Sequence, residues 1–210
     1  MSGETLDQNA GSSFWKRYWF IIAVVVLAAA ILGVIGYNKW KSSQIPVMKQ
    51  LSDFSLEKVD NTPFHFSDTN GKVRLVAFIF TRCADVCPPT TKNMQKLQEA
   101  LKAKGMFGKD VALVTVSFDS EHDTADVLRQ YAEKFSYDPS GWYFLRGNEK
   151  DVAKVTKDFG VGVLKQDDGM YMHTMRTFLV DKDGNMRKAY GMAAEMNLDQ
   201  IISDMETLAK

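Results

Sequence analysis

The sequence predicts an α/β fold in which a mostly parallel sheet is flanked by helices. Two near-continuous apolar runs, residues 73–80 (VRLVAFIF) and 111–118 (VALVTVSF), have the length of strands buried on both faces. A segment with helical periodicity follows each run. Alternation of strands and helices is typical of a parallel sheet whose strands are joined by helical crossovers.

The first two helices are each placed by an apolar stripe. From about residue 88 to residue 104, Met94, Leu97 and Leu101 recur at helical spacing. The next helix has Asp123 or Thr124 as a suitable N-cap. Its apolar stripe is expected at four positions: Val127, Leu128, Tyr131 and Phe135.

Three further elements complete the predicted fold. Residues 142–145 form a short third strand, and a helix capped by Asn148 is expected to run to Phe159. Residues 175–180 and 186–190 flank the sequence DKDGN, which predicts a β-hairpin. The apolar face of a closing helix is formed by Leu198, Ile201, Ile202, Met205 and Leu208. This order fits a thioredoxin-like layout with an inserted strand–helix unit and a C-terminal hairpin.

Ahead of this domain, residues 18–37 predict a transmembrane helix. Residues 20–35 are apolar apart from Gly33, and aromatic residues flank them as interfacial anchors do. The run is longer than the apolar core of a cleaved secretory signal, so we expect it to remain as an anchor. The other segments are a short cytoplasmic tail, a polar linker and the folded domain: residues 1–17, 38–50 and 51–210.

The charge and composition of the chain indicate its partners and its cellular location. The chain has 26 basic and 26 acidic residues, so we expect no nucleic acid among its partners. Acidic residues near the N-terminus argue against a mitochondrial transit peptide. Basic residues flank the apolar run on both sides, so orientation depends on the short tail and the large C-terminal domain. We expect a single-pass protein of the bacterial cytoplasmic (inner) membrane, with its domain on the extracytoplasmic side.

The only two cysteines, Cys83 and Cys87, lie between the first predicted strand and the first helix. Pro88 favours a helix that begins at or near Cys87, and the amides at a helix N-terminus stabilise a thiolate. Three residues separate the cysteines, one more than in the usual thioredoxin motif. Such a pair can exchange with a disulfide or bind a soft metal such as Cu(I) or zinc, and the spacing leaves both open.

A third metal ligand would have to come from one of three histidines. His65 is expected on a strand near the surface, and His122 in a solvated loop before a helix. His173 lies directly before the first strand of the predicted hairpin. An isolated histidine is more often structural than a ligand. Three methionines lie near it, and methionines near a strand usually pack, although thioethers are soft Cu(I) ligands. They are Met170, Met172 and Met175.

Three segments of the chain resemble motifs of the Sco/SenC family. Residues 80–88 (FTRCADVCP) are similar to its Thr-x-Cys-x-x-Asp-Val-Cys-Pro motif. Residues 116–124 (VSFDSEHDT) resemble a second block of the family, and residues 172–184 (MHTMRTFLVDKDG) resemble its histidine block. The likeness covers nearly all of the region expected to be exported. It departs from the family at Ala84, where a proline is common, and at Pro89, a second consecutive proline.

The resemblance implies a membrane-anchored copper protein of thioredoxin-like fold. Such a protein serves assembly of the dinuclear copper site in cytochrome c oxidase subunit II. The resemblance implies copper, as Cu(I), Cu(II) or both, held by Cys83, Cys87 and His173. It also implies two protein partners, an upstream copper donor and subunit II or another copper acceptor. The chain would then be a metallochaperone and not primarily an enzyme.

Two alternatives stay open. Cys83 and Cys87 could be the redox pair of a thiol–disulfide oxidoreductase that reduces the acceptor's copper-ligand cysteines, or the pair could act as a redox sensor. A peroxiredoxin is disfavoured, because Phe80 and Ala84 stand where its threonine is expected, three residues before each cysteine. A pure scaffolding role would leave the reactive pair unexplained.

Overall fold

The structure is a computed structural model that describes residues 10–42 and 45–210. Side chains within the first of these segments are described for residues 18–34. The chain divides into two compact units, Met1–Gln44 and Ile45–Lys210. Each unit is considered by itself.

The first unit contains helix α1 (Ala10–Ser42). Within the described part of the chain, no helix is both long and apolar enough to cross a membrane. Several segments predicted from the sequence include residues that the structure does not describe. Residues 1–9 of the predicted tail and residues 43–44 of the predicted linker lie outside the described residues. Residues 35–37, at the end of the predicted span, lie outside the described side chains.

The second unit has ten strands. In chain order they are β1 (Lys49–Gln50), β2 (Ser55–Lys58), β3 (Pro63–His65), β4 (Val73–Ile79), β5 (Val111–Ser117), β6 (Trp142–Arg146), β7 (Val163–Lys165), β8 (Tyr171–His173), β9 (Thr177–Val180) and β10 (Asn185–Tyr190). Eight of them form one sheet in the order β1-β10-β9-β4-β5-β6-β2-β3. β7 and β8 pair only with each other, as a separate two-stranded sheet. We call residues 163–173 the histidine ribbon.

The centre of the large sheet is parallel, as predicted. β4 pairs in parallel with β5, and β5 with β6, whereas β9 joins β4 in the antiparallel sense. Every residue of β4 and β5 is buried, which explains why both strands are apolar except at Arg74, Thr115 and Ser117. At their carboxyl ends Ile79 is paired with Ser117. The loops that leave β4 and β5 therefore emerge side by side, where α/β sheets place their binding sites.

Four helices accompany the sheet: α2 (Cys87–Ala103), α3 (Ala125–Glu133), α4 (Glu149–Phe159) and α5 (Leu198–Ala209). The predicted caps Thr124 and Asn148 each accept a hydrogen bond from a first-turn amide. α4 ends at Gly160, whose left-handed φ of +72° turns the chain toward β7. One stripe residue was assigned wrongly. Val127 is exposed, because the buried face of α3 is centred on its neighbours Leu128, Tyr131 and Ala132.

The core confirms the predicted thioredoxin-like α/β architecture. Met94, Leu97 and Leu101 of α2 are fully buried, and Phe78, Phe159 and Phe178 pack edge to face beneath the sheet. His65 is exposed at the end of β3, as predicted. The histidine ribbon was not predicted, because each of its strands is only three residues long and half exposed.

Candidate functional site

The two cysteines lie in the connection from β4 to α2, which we call the cysteine loop (residues 80–87). Cys83 is partly exposed in the loop, and Cys87 is fully buried as the first residue of α2. Pro88 and Pro89 occupy the next two positions, where the missing amide hydrogens cost nothing. Both cysteines are free thiols.

The thiolate of the pair resides on Cys83. Its sulfur accepts a hydrogen bond from the Cys87 thiol and from the Cys87 amide, whose nitrogen is 3.4 Å away. These hydrogen bonds, with further help from the amides of Asp85 and Val86, lower the pKa of Cys83 to about 5 against the opposing effect of burial. The shared hydrogen bond and burial raise the pKa of Cys87. The amides at the start of α2 thus stabilise a thiolate on the loop residue, and Cys87 supplies the proton.

A buried carboxylate fixes the base of the cysteine loop. Asp123 is inaccessible to solvent and accepts hydrogen bonds from the Thr81 amide at 3.0 Å, the Thr81 hydroxyl and the Ser117 hydroxyl. Burial raises the pKa of Asp123, although the same hydrogen bonds oppose it. Because Ser117 ends β5, this carboxylate fastens the cysteine loop to the neighbouring strand.

His173 ends β8, opposite Val163 of β7. Its Nδ1 lies 3.0 Å from the Thr174 carbonyl oxygen, and its Nε2 is buried with no hydrogen-bond partner among the described residues. The imidazole packs against Phe80 of the cysteine loop and Phe118, with ring centroids 6.3 and 5.0 Å apart. A buried nitrogen that no protein group satisfies is unusual, and it has the chemistry of a metal ligand.

The three predicted ligands share one region but are not assembled around a common centre. Phe80 joins them, since the Cys83 amide donates to its carbonyl oxygen at 3.3 Å while its ring contacts His173. Within the described residues, no three histidine, cysteine, aspartate or glutamate side chains are grouped closely enough to hold a metal ion.

A second buried carboxylate, Asp119, links the cysteine loop to the histidine ribbon. Its Oδ2 accepts from Arg82 Nε at 3.0 Å and from Nη2 at 2.8 Å, and its Oδ1 lies 2.9 Å from His122 Nδ1. The Tyr171 hydroxyl donates to Oδ1 at 3.3 Å. Burial raises the pKa of Asp119, but the hydrogen bonds from His122 and Arg82 outweigh it and hold the pKa below its ordinary value.

Comparison with known proteins identifies the family of this chain. Residues 43–210 match the family model described as SCO1/SenC. The chain belongs to the SCO1/SenC family. This finding confirms the resemblance carried by the cysteine and histidine motifs.

Solved structures of the family share the fold. A SCO1/SenC family lipoprotein from Bacillus anthracis is 35% identical, with a TM-score of 0.72 over 77% of this chain and 96% of that one. BsSco, described as a cytochrome c oxidase assembly protein with a disulfide switch, is 28% identical, with a TM-score of 0.69 over 79% and 97%. ScoI from Arabidopsis thaliana with copper bound is 24% identical, with a TM-score of 0.65 over 75% and 98%.

Sequence reasoning missed the residues that tie this SCO1/SenC site together. Arg82, Asp119 and Tyr171 lie in three separate segments, and nothing in the spacing indicates their contact. His122 was expected to be solvated, but its ring is half exposed and bound to Asp119. One signal was available, because two aspartates follow the end of a buried parallel strand, where α/β sheets gather polar side chains.

The methionines differ from one another. Met170 is partly buried and packs against the core, as expected of a methionine near a strand. Met172 and Met175 are 64% and 54% exposed, so the expectation that they pack was wrong. Alternation along β8 places Met172 on the face opposite His173, and that face points to solvent.

Proposed function

We propose that this protein is a copper metallochaperone for cytochrome c oxidase assembly, with Cys83, Cys87 and His173 as its copper ligands. One observation carries the proposal. On a SCO1/SenC fold, a thiolate–thiol pair and a histidine with an unsatisfied buried Nε2 lie against the same phenylalanine, Phe80. Binding carries His173 and the pair toward a common ion.

The donor set fits copper. Thiolates favour Cu(I), and an imidazole nitrogen accommodates Cu(II), so two sulfurs and one nitrogen serve both oxidation states. Copper-bound structures of Arabidopsis thaliana and Bradyrhizobium japonicum ScoI share the fold, which supports copper as the ligand here. Copper in this proposal is cargo, so the ligands have to release it as well as bind it.

The acceptor in the proposal is the dinuclear copper site of cytochrome c oxidase subunit II. The description of BsSco as an oxidase assembly protein supports this assignment. A thiolate on the partly exposed Cys83 is accessible to an incoming copper donor and to the acceptor's own ligands. Cys87 and the Nε2 atom of His173 are buried, so exchange of copper begins at Cys83.

A second function is favoured by the same thiolate. Cys83 can attack a disulfide of the acceptor and form a mixed disulfide, releasing one acceptor thiolate. Cys87, once it loses its proton, attacks the Cys83 sulfur and releases the second thiolate. Two electrons pass from the pair to the acceptor, and the pair becomes a disulfide. The disulfide switch named for BsSco supports this chemistry, and it also suits a redox sensor.

The proposal includes attachment to a bacterial cytoplasmic membrane through residues 18–37, with residues 51–210 on the extracytoplasmic side. The apolar sequence of this segment supports the anchor, and the description of the Bacillus anthracis relative as a lipoprotein supports membrane association alone. Fractionation of cells that express the full chain tests it. Extraction from membranes by carbonate would contradict an anchor that spans the bilayer.

Copper titration of the reduced full-length chain tests the main function. We expect one copper per chain, sulfur-to-copper charge-transfer absorption in the Cu(II) form, and nitrogen hyperfine coupling from one imidazole. In the His173→Ala variant, copper affinity falls by about 10- to 100-fold or more, while the Cys83–Cys87 disulfide still forms.

The outcomes separate the two functions. If the reduced chain binds no copper but reduces a disulfide in the acceptor, the oxidoreductase function replaces the metallochaperone. Equal copper binding with and without His173 would show that the three-ligand set is wrong. The His65→Ala variant is the matched control, since His65 is exposed on β3 at the edge of the sheet and we expect wild-type binding from it.

A further inference from the structure

The position of the histidine ribbon depends on few contacts. It stands outside the eight-stranded sheet as an isolated pair of three-residue strands. A groove of about 600 Å³, lined by residues of α4, β7 and Tyr171, separates the ribbon from α4. An isolated two-stranded hairpin is only marginally stable in water. The contacts that hold the ribbon to the rest of the domain therefore decide where His173 lies.

Two polar contacts hold the ribbon near His173, and both lead to Asp119. Arg82 Nη2 donates to the Gly169 carbonyl oxygen at 2.8 Å while the same guanidinium binds Asp119. The Tyr171 hydroxyl donates to the other Asp119 oxygen at 3.3 Å. Tyr171 and His173 are two residues apart on β8, so their side chains lie on the same face. Both rings contact Phe80 and Phe118.

The other long-range polar contact of the ribbon is weaker. Lys165 pairs with Glu121 at 2.7 Å, but both side chains are about half exposed. Exposed ion pairs contribute little to stability. Asp119, in contrast, is fully buried, and Arg82 is mostly buried against it. Charge-assisted hydrogen bonds in such a setting are stronger and more directional.

We infer that Arg82 is a positioning residue: its guanidinium, held by Asp119 on one side and bonded to Gly169 on the other, fastens the histidine ribbon to the cysteine loop. Arg82 directly precedes Cys83, so one side chain connects the segments that carry the thiolate and the imidazole. The guanidinium places Nε and Nη2 side by side on Asp119 while Nη2 also donates to Gly169, and a lysine ammonium, with a single nitrogen, cannot reproduce this arrangement. Of the two experiments below, only the copper measurement depends on the proposed function.

Hydrogen–deuterium exchange of the reduced, copper-free full-length chain tests the fastening directly. In the Arg82→Ala variant we expect amides of β7 and β8 to exchange about tenfold faster or more, while β4 keeps its wild-type protection. Arg82→Lys gives an intermediate increase. Arg176→Ala is the charge-matched control, because the Arg176 side chain is exposed and has no hydrogen bond or ion pair within residues 45–210. We expect wild-type exchange from it.

Two results would overturn the inference. One is wild-type exchange of the ribbon in both Arg82 variants. The other is an equal increase in β4, which would mean that Arg82 acts on overall stability. If Arg82→Ala does not fold, Arg82→Lys and Tyr171→Phe decide, since Tyr171→Phe removes the second contact to Asp119 without removing a charge.

Copper provides an independent readout. We expect Cu(II) to dissociate about 10- to 100-fold faster from Arg82→Ala than from the wild type, with weaker imidazole hyperfine coupling, and Arg82→Lys to recover part of both. Unchanged dissociation together with unchanged exchange would reject the inference. If the wild type itself shows no imidazole coupling, the three-ligand proposal fails, while the exchange experiment still judges the role of Arg82.

Discussion

The cysteine loop and the histidine ribbon carry the two halves of the proposed copper site, and they are supported very differently. The loop joins two elements of the core, β4 and α2, and buried Asp123 ties it to the end of β5. The ribbon lies outside the main sheet and is held by the polar contacts of Arg82 and Asp119 and by aromatic packing on Phe80 and Phe118. One half is thus part of the central fold, and the other is attached to it by side-chain contacts.

This difference in support suggests how one site could both hold and release an ion. In the proposed site the pair of sulfurs would retain copper, whereas a ligand on the ribbon could leave without disturbing the core. It also separates two functions. Disulfide exchange needs only the loop, but copper binding in the proposed form needs both regions.

Removing a ligand from each region tests the comparison most strongly. Cys87→Ser leaves the rigid half with one sulfur, so we expect copper affinity to fall by more than the about 10- to 100-fold expected for His173→Ala. Competition with a Cu(I) chelator of known affinity measures both losses. A larger loss from His173→Ala than from Cys87→Ser would mean that the histidine ribbon, and not the cysteine loop, contributes most to copper retention.

Breaking the support of the loop has the next largest effect. Asp123→Ala leaves the Thr81 amide and the hydroxyls of Thr81 and Ser117 unpaired, which we expect to lower the free energy of unfolding by about 3 kcal/mol. Urea denaturation measures the change. Asp126→Ala is the control, because its pair with Arg129 is exposed and its loss should cost about 0.5 kcal/mol or less. Equal losses would mean that Asp123 does not support the loop.

The charge on the loop is tested by pH. With a pKa of about 5, Cys83 is a thiolate at neutral pH, so its alkylation rate should stay level down to about pH 6 and fall about tenfold per pH unit below pH 5. The rate falls at low pH because protonation converts the thiolate, which is the nucleophile, into an unreactive thiol. Quenched mass spectrometry of the reduced chain measures the rate at Cys83. A rate that keeps rising between about pH 7 and pH 9, as for an ordinary thiol, would contradict the assignment.

The smallest effect is expected at two exposed methionines, one on the ribbon and one just after it. Met172→Leu and Met175→Leu keep shape and remove the thioether sulfurs, and exposed substitutions of this kind change free energies by about 0.5 kcal/mol or less. Copper affinity should therefore stay within about twofold of the wild-type value in the same chelator competition. A larger loss would add a methionine sulfur to the copper ligands.

The sequence alone was sufficient for the parts of the fold that have strong periodicity. β4 and β5 are apolar over most of their length because both faces are covered, and α4 begins at its predicted cap, Asn148. Short, half-exposed elements carry no such pattern. β7 and β8 were missed for that reason, and with them the fact that His173 belongs to a strand outside the main sheet.

The sequence by itself also determined the chemistry of this protein: two thiols at the start of a helix, one suitable histidine, and motifs of the SCO1/SenC family. Tertiary structure decided which sulfur carries the negative charge. Only in the folded chain do the amides at the start of α2 and the Cys87 thiol donate hydrogen bonds to the Cys83 sulfur. It also decided how the two halves are joined. The contact between Arg82, Asp119 and Tyr171 depends on three segments far apart in the chain, and only the packed fold brings them together.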